Sequence, residues 1–132
     1  MTAINSQRRA KKIAEQSARI TAIRDQLRDA NLTVAAGFSV QADPDSVLMM
    51  QETIDQWDSI THMRDAESNQ LWKDATNEKR AFSRDEFIAF VAEVRARRAA
   101  RMDINFAFAE LKRAALPLPD DDGVFDSTQW PG

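Results

Sequence analysis

The chain has 132 residues, a net charge of −3, no cysteine, no tyrosine and only three glycines, a length that suits one domain and a composition weighted towards helix formers. The missing cysteines exclude disulfides and thiolate chemistry. No apolar stretch follows the basic residues Arg8, Arg9, Lys11 and Lys12, and no run approaches the roughly 18 apolar residues of a membrane span, so a soluble, non-exported, mainly α protein is expected.

The small net charge hides an asymmetry. Residues 1–28 carry seven Lys/Arg against Glu15 and Asp25, residues 29–83 carry four against ten acids, and residues 117–132 carry four Asp and no base. Ends of opposite sign either attract one another, within or between subunits, or stay solvated.

The first predicted element is a basic helix from about Ser6 to Asn31. Ile13, Ile20, Leu27 and Val34 fall at heptad a positions, with Gln16, Ile23 and Ala30 at d. Three heptads with one polar site are marginal alone. The stripe therefore packs on the rest of its own chain or on copies of itself or a neighbour. Residues 1–34 are read as an oligomerisation or docking helix, 35–116 as a small helical domain with a β-hairpin, and 117–132 as an extended acidic tail. No interleaved aromatic, zinc spacing or helix-turn-helix pattern accompanies the basic residues, so no nucleic-acid partner is expected.

After Gly37, Phe38 to Ala42 alternates as a short strand does. Asp43 is then a fitting N-cap, Pro44 a fitting first helical residue, and Val47, Met50, Ile54 and Trp57 form one apolar face as far as about Ile60 or Met63. Met49 cannot share that face fully with Met50, which leaves core filling or partner contact for the pair. His62 is the only histidine, and Asp55, Asp58, Asp65 and Glu67 lack the order of a calcium loop. A solvated acidic face accounts for them, and no metal or cofactor is expected.

Leu71 to Phe82 reads as a hairpin, with Trp72 and Phe82 bracketing an Asp/Asn/Thr turn, and Ser83 with Glu86 has the spacing of a capping box. The third helix is expected from about Arg84 to Ala115, a rod of about 45 Å. Phe87, Val91 and Val94 begin its stripe, and Met102, Phe106 and Ala109 resume it beyond Arg95, Arg97, Arg98 and Arg101. That arginine cluster is either solvated and salt-bridged or a dock for acidic residues, the chain's own tail among them. Pro117 and Pro119 end the helix. Val124, Phe125 and Trp130 then space apolar anchors along the acidic tail, as suits a segment draped over a neighbour. The expected interface residues are Ile13, Ile20, Ile23, Leu27, Phe106, Phe108, Phe125 and Trp130.

The order Gly37-Phe38, Asp43-x-Asp45-Ser46 opening a helix, Trp72-x-Asp74 and Asn77 in a hairpin, Phe82-Ser83 leading into Phe87, and a helix ending Glu110-Leu111-Lys112-Arg113 resembles a domain of unknown function common in tailed-bacteriophage proteins encoded near tail fibres. The chain departs from that pattern in its longer turn, Asp74 to Lys79, and in its proline-rich acidic tail. The resemblance implies a structural component of a phage tail, at a baseplate or tail-fibre attachment point, or else a tail-fibre assembly factor (a chaperone) absent from the mature virion. The protein would be made in the host cytoplasm and reside in the virion, its partners being other tail, fibre or baseplate proteins. The threefold symmetry common at fibre attachment, with Ile20 and Ile23 in the stripe, favours a homo-oligomer that is a trimer. No phosphate loop, nucleophile elbow, HExxH or Cys/His cluster is present, and no catalysis is expected.

Overall fold

The computed structural model describes residues 3–132. It is mainly helical, with α1 (Ala3–Arg28), β1 (Leu32–Thr33), β2 (Ser39–Val40), α2 (Pro44–Asp55), β3 (Gln70–Lys73), β4 (Lys79–Phe82) and α3 (Arg84–Ala114) in chain order. Two short 3-10 turns, Gly123–Phe125 and Ser127–Gln129, complete it. The chain divides into two compact units with different boundaries from those expected. One combines α1 with Ala100–Gly132; the other is Asp29–Ala99.

Within Asp29–Ala99, the α2 start is fixed locally. Asp43 accepts hydrogen bonds from the Ser46 N–H at 3.4 Å and its hydroxyl at 2.5 Å, and Pro44 occupies the first turn. The helix stops at Asp55, short of Ile60 or Met63. Arg64 explains the stop: its guanidinium takes the Trp57 carbonyl at 2.7 Å and lies 3.6 Å from the indole centroid, satisfying a carbonyl that a longer helix would have used.

β1 and β2 pair antiparallel, Leu32 opposite Val40, around a turn in which Gly37 has φ +96°, a conformation that suits glycine. This corrects the reading of Val34 as a heptad position: α1 ends at Arg28, and Val34 is buried in the core of this unit. β3 and β4 form the expected hairpin, from Gln70 opposite Phe82 to Lys73 opposite Lys79. Its tip is organised by Asp74, whose Oδ1 accepts from Thr76 N–H (2.8 Å), Thr76 Oγ1 (2.7 Å) and Glu78 N–H (3.1 Å), while Oδ2 accepts from Arg80 Nε (2.9 Å). Asn77 supplies the left-handed residue, at φ +66°. α3 opens on the expected capping box, with the Ser83 N–H donating to Glu86 Oε1 (2.8 Å) and the Glu86 N–H to Ser83 Oγ (3.2 Å).

The core of this unit is aromatic. Phe87 is fully buried, with ring centroids of Trp72, Phe82, Phe90 and Trp57 at 5.5, 5.8, 5.8 and 6.2 Å. Val40, Met50, Val91 and Val94 close it with no exposure above 1%.

The other unit has its own core of Ile20, Ala109, Val124 and Trp130. The tail, expected to be extended, folds back into this unit. Gln16 shows how. Its Nε2 donates to the Leu118 carbonyl (2.8 Å) and its Oε1 accepts the Leu118 N–H (3.0 Å), so one amide side chain satisfies both backbone groups of a tail residue. The Trp130 indole N–H donates to the Val124 carbonyl (2.9 Å) and the ring meets Phe108 edge-on at 5.0 Å. Asp120 and Asp122 pair with Lys12 (3.8 Å) and Lys112 (3.1 Å).

Candidate protein contact surface

Of the eight expected interface residues, the structure gathers Ile20 and Trp130 into the core just described, with Ile23, Leu27, Phe108 and Phe125 packed against them. Phe125 and Phe106 are half-buried under the guanidinium groups of Arg19 (4.3 Å) and Arg24 (4.5 Å), and Ile13 is half-buried. The stripe is therefore spent on the chain itself. The reason is the tail: Val124 and Trp130 offer it an apolar partner from more than 100 residues away, so no second copy is required to cover Ile20. The arginines are likewise engaged. Arg95 donates to Gln51 Oε1 (2.8 Å), Arg97 bridges to Glu93 (2.7 Å), and Arg98 donates to the Ala42 carbonyl (2.9 Å) and lies 3.5 Å from Asp29.

Exposed apolar surface lies elsewhere. On α2, Leu48 is 59% and Met49 47% exposed, whereas the adjacent Met50 is fully buried. Asp45, Leu48, Met49 and Glu52 have the spacing i, i+3, i+4, i+7 and so share one outward stripe, an apolar pair with an acid at either end. Met49 also walls a cavity of about 240 Å³ with Met63, Leu71 and Trp72. Polar groups at its floor are engaged: the Thr53 hydroxyl donates to the Met49 carbonyl (2.8 Å), and the Gln70 amide donates to the Leu71 carbonyl (3.1 Å) and accepts from Arg64 Nε (2.8 Å). Exposed His62 and Lys73 stand at its edge. Small-molecule sites usually occupy roughly 300–1,000 Å³. This smaller hollow, in which Met49, Met63, Leu71 and Trp72 alternate with polar side chains, suits a side chain of a protein partner.

A second concavity, lined by Val34, Phe38, Phe82 and Phe90, has Glu86 and Glu93 at its rim. Both carboxylates already serve the fold, Glu86 in the capping box and Glu93 with the Ala35 N–H (2.6 Å) and Arg97.

The perturbed carboxylates Asp43, Asp74, Glu86, Asp122 and Asp126 are all held below their ordinary range. The leading causes are hydrogen bonds from Ser46 to Asp43, Thr76 to Asp74, the Ser83 N–H to Glu86, the Val124 N–H to Asp122 and Thr128 to Asp126. Each closes a turn or caps a helix. Among the described residues no three His, Cys, Asp or Glu side chains converge as a metal site, and no helix is long and apolar enough to cross a membrane.

Asp74 gives a pH prediction. Its pKa falls from 3.8 to about 2, so its stabilising contribution is complete above the unfolded value and is lost as pH falls through about 2. Asp74→Asn is expected to be less stable at pH 7 and to show a shallower loss of stability between about pH 4 and pH 2, followed by tryptophan fluorescence in denaturant titrations. An unchanged acid response would refute the assignment.

Neither the curated proteins nor the solved structures give a match. Residues 7–127, which span both units and the α2 surface, match the family described as Domain of unknown function (DUF4376), and the chain belongs to that family.

Proposed function

We propose that this protein is a structural component of a bacteriophage tail, a connector at a baseplate or fibre attachment point that works through protein–protein contacts. The phage context comes from the sequence resemblance. The observation that favours a contact role is the outward stripe of α2, where Leu48 and Met49 are held in water beside a hollow the chain does not fill.

On this reading the partners are other tail, fibre or baseplate proteins, the protein resides in the virion, and a homo-oligomer, a trimer where the attachment is threefold, is the working state. Quantitative mass spectrometry of purified particles tests it. Stoichiometric presence supports a structural component; absence from particles, with co-purification of a fibre protein from infected cells, would replace it with the assembly-factor reading.

A further inference from the structure

Each of the residues from Ala3 to Lys12 on α1 is exposed, and this segment carries four basic side chains and no acid. Ile4 is 60% exposed. With Arg8 and Lys11 it forms a stripe at i, i+4 and i+7, an apolar residue followed by two cations on one face. Lys11 is 3.9 Å from Glu15 and Lys12 3.8 Å from Asp120, both well-exposed pairs of small worth. Neither the Arg8 nor the Arg9 guanidinium makes an ion pair or hydrogen bond among the described residues.

The α2 stripe has the complementary pattern. Asp45 and Glu52 are exposed and, among the described residues, no ion pair or side-chain hydrogen bond engages either carboxylate, while Leu48 and Met49 lie between them. The surrounding unit Asp29–Ala99 carries thirteen acids against eight bases. One chain thus displays two unlike helical stripes, one apolar and basic, the other apolar and acidic, with anchors and charges one turn apart in both.

We infer that the first turns of α1 from one copy dock on the α2 stripe of a second copy. Ile4 lies against Met49 and Leu48 at the mouth of the Met63–Leu71–Trp72 hollow, and the cations of the same stripe, Arg8 and Lys11, meet the acids Asp45 and Glu52 that flank the apolar pair. Exposed Lys73 also lines the hollow and disfavours a reversed placement that would bring the cations of α1 over it. Because the two patches differ, the contact is head-to-tail and each copy keeps one unused stripe until a ring closes. The self-association rests on these two stripes alone and stands whether or not the chain belongs to a virion.

Light scattering after size exclusion on the full chain is the first test. Mass is expected above the 14.9 kDa monomer at low salt and to fall towards it as salt rises. Arg8→Glu with Lys11→Glu, or Asp45→Lys with Glu52→Lys, should each weaken association by about tenfold or more, and mixing the two variants should restore it. All four positions are exposed, so circular dichroism should be unchanged. The chain has no cysteine, which makes a second test clean: an Ile4→Cys chain mixed with a Met49→Cys chain should form a disulfide-linked heterodimer. A monomer at all salts and concentrations, an oligomer indifferent to both reversals, or failure of the mixed disulfide would overturn the inference. Loss of mass only when DNA, RNA or anionic vesicles are removed would overturn it in favour of those ligands.

Discussion

Ile20→Asp is expected to unfold the unit built from α1 and Ala100–Gly132 while leaving Asp29–Ala99 folded. Ile20 is fully buried against Ala109, Val124 and Trp130. Aspartate there loses the apolar contacts and places an unpaired carboxylate in an apolar core, one of the few mechanisms that cost about 4 kcal/mol or more. A unit of this size has only about 3–10 kcal/mol in total. Hydrogen exchange read by mass spectrometry separates the outcomes: peptides covering residues 15–28 and 118–130 should lose protection, and those covering 70–82 should keep it. If all of these stay protected while an oligomer dissociates, Ile20 belongs to an intersubunit seam after all.

Phe87→Ala should do the converse. Phe87 is the ring around which Trp57, Trp72, Phe82 and Phe90 are arranged. It also ties the first turns of α3 to the hairpin. Truncating a buried phenylalanine costs roughly 3–5 kcal/mol through lost transfer energy and the cavity left behind. For a unit this small that corresponds to a fall in Tm of about 15 °C or more. Near-ultraviolet circular dichroism should lose the Trp57 and Trp72 bands, and exchange protection should vanish from residues 70–95 before residues 118–130. A Tm within about 3 °C of the parent would mean that the aromatic cluster repacks around the hole, and that the hairpin is held by its own turn.

Both variants also test where the contact surface lies. α1 has a buried part, centred on Gln16 and Ile20, and a part from Ala3 to Lys12 in water. Substitutions in the first part change folding, and those in the second change association. A heptad stripe read from sequence treats these parts as one seam.

Features set by neighbours in the chain were legible in the sequence. Asp43 with Pro44 and Ser46, Ser83 with Glu86, and the Trp72–Phe82 hairpin each satisfy backbone groups within a few residues, so spacing and residue type suffice to place them. The α2 face was also half-visible, because Met49 falls off the Val47–Met50–Ile54–Trp57 stripe at helical spacing. Asp45 and Glu52, four and three residues from it, lie on the same outward face.

What lay beyond reach is the pairing of distant segments. An apolar stripe on α1 looks the same whether a second copy or the chain's own tail covers it, since hydrophobic burial has no direction and no memory of sequence distance. Gln16 at a seam position is odd until Leu118 presents a backbone N–H and C=O to it. The acidic tail, too polar to build a core alone, is ordered by three apolar anchors that find Ile20, Ala109 and Phe108. Local sequence therefore determined where α2, the β3–β4 hairpin and α3 begin, because their hydrogen bonds close within a few residues. Tertiary structure alone decided which apolar faces are consumed and which remain in water, because that depends on contacts between residues about 100 positions apart.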